Sequence, residues 1–192
     1  MQPLTPLCEL AKKYQTDKGG QHFMYNGQPS EHCHEYTPLY YDIFKDKTEK
    51  VRRVLEIGVN SGASLRMWEE FFPNAEIIGL DIDFNYLFNA GRIKCLYANA
   101  GDSESLRGAV LDAGSMPLYD LIVDDGSHDL SDQVCSLQTL LPMLAPDGVY
   151  IVEDCYHPHN ILAAVPDGFA AVAAETDNNK GGVDCLVFIT HG

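Results

Sequence analysis

From Arg52 onward, short apolar runs alternate with amphipathic stretches. Val54-Leu55-Glu56-Ile57-Gly58 is nearly all apolar and ends in glycine, the pattern of a strand covered on both faces. Residues 64–72 place apolar side chains at helical spacing, with Ser64 as the cap, and Pro73-Asn74 ends the run. The same reasoning predicts strands over 75–81 and 92–98, and a helix over 103–113 that opens on serine with an acid in its first turn. It predicts a fourth strand over 119–125, a helix over 130–144 stopping at Ala145-Pro146-Asp147-Gly148, and a fifth strand over 148–154. Residues 169–176 and 183–190 are strand-like. The intervening Asp177-Asn178-Asn179-Lys180-Gly181-Gly182 is turn chemistry, which makes them a terminal hairpin. This order predicts an α/β fold: a parallel sheet with helices on both faces and one antiparallel strand. Residues 1–50 precede the alternation and read as an appended helical or lid segment, with 51–192 as the core domain.

Composition narrows the class. The chain has 192 residues, 13 Lys+Arg against 28 Asp+Glu, and a formal net charge of −15. Its 45% hydrophobic content is that of a folded domain. The acid surplus excludes nucleic acid and anionic membranes as partners, because both need a basic face. No apolar run approaches the ~20 residues of a membrane helix, and the N-terminus has no signal-peptide pattern. Six cysteines are spread singly without a C-x-x-C pair, as expected of reduced thiols in a cytoplasmic protein.

In a doubly wound sheet, ligands bind beyond the carboxyl ends of the strands, at the switch point beside the first strand. The loop there is Glu56-Ile57-Gly58-Val59-Asn60-Ser61-Gly62, whose glycines let a ligand approach the backbone. It lacks the G-x-G-x-x-G of dinucleotide enzymes, which argues against an NAD-dependent oxidoreductase. Asp81 ends the second strand, where a carboxylate accepts ribose hydroxyls. The fourth strand ends in Asp124-Asp125-Gly126-Ser127-His128 and the fifth in Glu153-Asp154. Adjacent strands lie ~4.8 Å apart, so these acids converge on one point, and all-oxygen ligation suits Mg²⁺, Mn²⁺ or Ca²⁺. Capping accounts for Asp129 or Ser131, but poorly for two acid pairs on neighbouring strand ends. His128 faces the same space or is an ordinary loop histidine. His32-Cys33-His34 has no second ligand pair nearby, so His34 and Tyr36 read as substrate or cofactor contacts of the leader, and His157 as a substrate contact. The tyrosines of the leader suit a sugar, an adenine or a dimer arm. Trp68 reads as core.

The pattern E-x-G-x-x-x-G with an acid ending strand two resembles the first two motifs of the class I S-adenosylmethionine (SAM)-dependent methyltransferases. That resemblance implies a Rossmann-like, seven-stranded, mostly parallel sheet with helices on both faces and a C-terminal antiparallel hairpin. It implies a cofactor site of Glu56, Gly58, Ser61, Gly62 and Ser64, with Asp81 on the ribose and Asn99, Asp102 and Asp124 completing it. At Asn99 the family more often carries Asp. Asp125-Gly126-Ser127-His128 combined with Glu153-Asp154 is similar to the metal-dependent sugar O-methyltransferases of the macrolide type. So are Thr16-Asp17-Lys18-Gly19, His34-Glu35-Tyr36 and Tyr40-Tyr41-Asp42-Ile43-Phe44, and the likeness spans residues 14–190. It implies Mg²⁺ or Mn²⁺ held by Asp125, Glu153 and Asp154, catalysis by His128 as general base together with Asp125, and methylation of a small glycosylated, nucleoside or polyol metabolite in natural-product biosynthesis. A homodimer or higher homo-oligomer is expected. The family has a large additional N-terminal domain, in place of which a short leader is expected here. A catechol-type O-methyltransferase and a non-catalytic SAM-binding subunit are the alternatives.

Overall fold

The computed structural model describes residues 4–20, 23–25, 28–30, 33–114, 118–177 and 182–192. The leader forms α1 (Pro6–Tyr14), a small antiparallel hairpin of β1 (Phe23–Tyr25) and β2 (Gln28–Ser30), and α2 (Thr37–Phe44). The Oγ1 of Thr5 accepts the Cys8 N–H and caps α1. The alternation then gives β3 (Arg53–Ile57), α3 (Ala63–Phe71), β4 (Glu76–Asp81), β5 (Asn89–Ala90), β6 (Ile93–Tyr97), α4 (Ser103–Ala113) and β7 (Tyr119–Asp124). It closes with α5 (Leu130–Leu140), β8 (Leu144–Val152), α6 (Pro158–Ala164), β9 (Phe169–Asp177) and β10 (Val183–His191).

The main sheet runs β5-β6-β4-β3-β7-β8-β10-β9. β6, β4, β3, β7 and β8 are mutually parallel, β10 is antiparallel to both β8 and β9, and β5 is antiparallel to β6. The fold class is that anticipated, with eight strands rather than seven. The extra one is the two-residue β5, too short to show an alternation. The expected helix over 130–144 ends at Leu140, and a 3-10 turn at Leu141–Met143 replaces its last turn because Pro142 has no N–H to continue the α ladder. β8 accordingly starts at Leu144, with a register shift between Tyr119, which pairs with Leu144, and Leu121, which pairs with Val149. The unanticipated α6 is one short segment of seven residues that opens on Pro158 and buries only Ile161. Of the predicted terminal turn, residues 178–181 lie outside the described residues, as does His32.

Two apolar layers flank the sheet. One contains Leu7 and Ala11 of α1, Tyr40 and Phe44 of α2, and Leu65, Met67 and Trp68 of α3. The leader helices therefore share one core with the sheet. The other layer joins Leu106 and Val110 of α4, Leu137 and Leu140 of α5 and Ile161 of α6 to the opposite face.

Tyr119 is wholly buried, and its hydroxyl has no hydrogen-bond partner among the described residues. Burial pushes its pKa up to about 12. Leaving such a donor unmet costs about 1–3 kcal/mol, so Tyr119→Phe is expected to raise stability by about 0.5–2 kcal/mol in urea titration at neutral pH. A folded-state pKa above the ordinary value of 10.0 means that stability present below pH 10 is lost as pH rises towards 12, and the phenylalanine variant lacks that contribution. A clear loss of stability on substitution would show that the hydroxyl has a partner.

Candidate functional site

The order reverses beside β3, so the carboxyl ends of β3 and β7 open a crevice flanked by those of β4 and β8. Register makes the strand ends level. The Asp125 N–H donates to the Ile57 carbonyl at 3.0 Å and the Glu153 N–H to the Asp124 carbonyl at 2.9 Å. A cleft of about 320 Å³ lies above them, bordered by Gly58, Ser61, Ser64, Asp81, Asp125, His128, Glu153 and Asp154 from the core and by Lys18 and His34 from the leader. A second hollow of about 180 Å³ continues past Gly58 and Asp81 between Ile57, Leu80, Ile82, Ala98 and Asn99.

The glycine loop is fixed from two sides. Gly58 has φ +93, and a Cβ there would lie 2.0 Å from the Asp125 carbonyl oxygen, so the two loops touch through backbone alone. Asp81 Oδ2 accepts the N–H groups of Val59 (2.8 Å) and Asn60 (3.2 Å), while Oδ1 accepts that of Asp83 (2.8 Å). Under the loop, Glu56 is fully buried and accepts hydrogen bonds from Ser64 Oγ and Trp68 Nε1, both at 2.5 Å. Burial raises the Glu56 pKa against the pull of Lys18.

The acids at the ends of β7 and β8 do not share one environment. Side chains alternate along a strand, so neighbours in sequence face opposite sides. Asp124 is buried among α5 groups, bonded to Ser136 Oγ, and burial pushes its pKa up to about 7. Asp125 points into the cleft. Glu153 is buried, with Oε1 accepting from Tyr40 OH and Oε2 from Lys18 Nζ, each at 2.6 Å. Asp154 borders the cleft and accepts from Tyr36 OH at 2.5 Å. Single ligand atoms of Asp125, His128 and Asp154 lie within 4.8 Å of one another, as do those of His34, Asp154 and Asp184. His128 Nε2 stands 4.0 Å from Asp154 Oδ2, and its Nδ1 is buried without a partner among the described residues.

Lys18 is the group that residue-by-residue reading did not assign. Its side chain is 1% exposed, with Nζ 2.5 Å from Asp125 Oδ2, 2.6 Å from Glu153 Oε2 and 3.6 Å from Glu56 Oε1. Desolvation works against its charge, but Asp125, Glu153 and Glu56 outweigh it, and the ammonium is held well above the ordinary lysine range. Its only sequence signal is its place in Thr16-Asp17-Lys18-Gly19. Asp184 on β10 is the other unassigned group, bonded to His34 Nδ1 at 2.7 Å.

The remaining expected residues divide clearly. Asn99 borders the second hollow, while Asp102 caps α4 by accepting the N–H groups of Glu104 and Ser105. Gly62 precedes α3 with φ +72 and lines neither hollow. Tyr36 is buried and stacks on His34 at 5.0 Å. His157 is exposed at the start of α6, outside both hollows. All five non-glycine residues with left-handed backbone among the described ones, Gln15, Glu35, Asn60, His128 and Asp154, border the cleft or adjoin a residue that does. Strain of this kind persists where surrounding structure over-determines it, commonly at functional sites.

No family model matches the chain. It is 34% identical over 157 residues to mycinamicin VI 2''-O-methyltransferase of Micromonospora griseorubida, covering 78% of this chain and 36% of that protein. It is 31% identical over 157 residues to 8-demethyl-8-(2-methoxy-alpha-L-rhamnosyl)-tetracenomycin-C 3'-O-methyltransferase of Streptomyces olivaceus, covering 78% of this chain and 37% of that protein. Among solved structures, the MycE methyltransferase of the mycinamycin pathway, in complex with Mg, SAH and mycinamycin VI, superposes with a TM-score of 0.73 at 28% identity, covering 98% of this chain and 55% of that one. The chain thus spans little more than a third of the length of the curated relatives it matches.

Proposed function

We propose that this chain, which resembles the sugar O-methyltransferases in sequence and carries their Rossmann-like methyltransferase fold, is the catalytic region of a SAM- and Mg²⁺-dependent O-methyltransferase. The acceptor in this reading is a hydroxyl of a small glycosylated, nucleoside or polyol metabolite. The observation that carries it is the convergence of Gly58, Asp81, Asp125 and Asp154 from four strand ends on one cleft, with His128 beside them.

The residues present suit both groups. The apolar hollow at Leu80, Ile82 and Ala98 has the shape and chemistry for an adenine, with Asn99 at its wall. The Asp81 oxygens retain lone pairs beyond the loop hydrogen bonds, which suits a ribose. The loop residues Gly58, Ser61 and Ser64, set over Glu56, would face the aminoacyl part, with Gly62 turning the chain into α3 behind them. Asp125, Glu153 and Asp154 would hold the divalent ion, a donor set of oxygens suited to Mg²⁺ or Mn²⁺. When bound, SAM supplies an electrophilic methyl group and the metal acidifies a chelated hydroxyl.

The chain's own groups then take defined parts. His128 borders the cleft with Nε2 4.0 Å from Asp154 Oδ2, and its imidazole would take the acceptor's proton there. Tyr36, through Asp154, and His34, through Asp184, brace the metal side of the cleft. In this reading the leader walls the cleft from within the shared core, His157 at the exposed start of α6 meets the distal part of the acceptor, and the protein works as a cytoplasmic homo-oligomer.

Calorimetric titration with SAM is expected to give saturable heat and titration with NAD none. Methyl transfer from labelled SAM to macrolide or nucleoside sugars is expected to stop in excess EDTA. Absence of heat with SAM overturns the cofactor assignment, and full activity in EDTA overturns the metal.

A further inference from the structure

Lys18 conflicts with the ligand set just described. Its ammonium lies on Asp125 Oδ2 and Glu153 Oε2, at 2.5 and 2.6 Å, so it occupies the position between two of the three proposed metal ligands. A divalent ion and an ammonium cannot both sit there, because two cations at contact distance repel strongly in a desolvated setting. The other Glu153 oxygen accepts from Tyr40 OH, which ties that side of the carboxylate to α2.

We propose that Lys18 is a resident cation: it holds Asp125 and Glu153 together while the site lacks metal, and it leaves them when a divalent ion binds. This rests on the metal reading above. The backbone and the side chain of Lys18 are anchored separately. Its carbonyl accepts the N–H groups of Tyr36 (2.9 Å) and Thr37 (3.1 Å), which fixes the leader at that point whatever the ammonium does. Lys18 lines the cleft, and its four-carbon stem is flexible enough to carry the charged end into that space. Asp17 stands next to it with its side chain 48% exposed, a carboxylate at the rim for the displaced ammonium. Glu56 keeps its hydrogen bonds from Ser64 and Trp68 when Lys18 departs. A divalent ion brings twice the charge to the acids that Lys18 releases.

The consequence runs opposite to that of a structural lysine. Removing a group that merely shapes the ligands weakens metal binding, whereas removing a competitor strengthens it. Titrating the full chain with Mn²⁺, followed by electron paramagnetic resonance, is expected to show Lys18→Met binding at least about tenfold more tightly than the unaltered protein, the order expected for loss of a charge contact. Binding that is unchanged or weaker in Lys18→Met overturns the inference while leaving the metal reading intact. Binding in neither protein overturns both, and binding in Lys18→Met alone supports displacement in its strongest form. A measurement on the unaltered chain stands independently of whether the variant folds. Acetylation with an N-hydroxysuccinimide ester, read by peptide mass spectrometry, is expected to spare Lys18 without metal and to modify it under saturating Mn²⁺. Equal protection in both conditions overturns the displacement.

Discussion

Replacing His128 by alanine is expected to lower turnover by about 10²–10⁴-fold while SAM still binds, the range typical of a lost general base. His128 follows β7 whereas Asp81 ends β4, so the two border the cleft from different strand ends and cofactor affinity is expected to hold. Asp154→Asn is expected to act comparably by another route. The amide keeps the shape and still accepts from Tyr36 OH, but it gives up the charge that faces both His128 and the metal position. The check is a comparison of methyl-transfer rate and SAM affinity for each variant. Near-normal turnover of His128→Ala would remove the base from the scheme, and a parallel loss of SAM binding would recast His128 as a cofactor contact.

Gly58→Ala has an equally large expected effect and separates the two loops from the chemistry they carry. An alanine Cβ would lie 2.0 Å from the Asp125 carbonyl oxygen, and φ +93 is unfavourable for any side chain. The clash is with backbone, so relief requires the loop after β7 to move away from the loop after β3. The variant is expected to lose about 2–4 kcal/mol of stability, at the upper end for strained backbone substitutions. It is also expected to lose SAM binding by tenfold or more, about 1.4 kcal/mol or greater. Thermal unfolding and a SAM titration read the two effects separately. Normal SAM affinity would show that the loops tolerate separation.

The strand ends were legible in sequence because they combine a buried apolar run with an abrupt change to glycine or acid. Val54–Ile57 followed by Gly58, and Leu80 followed by Asp81, state both the strand and its terminus. What pairs of acids do was less legible. Asp124 and Asp125 look equivalent in sequence, yet strand alternation sends one under α5 and the other into the cleft. Asp102 looked like a cofactor contact, and the cap it provides to α4 satisfies the same local pattern. Lys18 was illegible for a different reason. A lysine buried by three carboxylates, each far away in the chain, leaves no periodicity, spacing or composition behind.

That long reach bears on how the molecule assembles. Lys18 meets Asp125 across 107 residues and Glu153 across 135, so the charge cluster closes only when the first and last thirds of the chain are both in place. Contacts of such separation are entropically expensive to form early, which places completion of the cleft near the end of folding. Until then, Glu56, Asp125 and Glu153 lack their counter-charge and favour a hydrated, open sheet end. A chain trimmed to residues 51–192 would retain every strand of the main sheet and still carry that uncompensated acid cluster, so the smallest self-sufficient unit begins before Lys18 rather than at the first core strand.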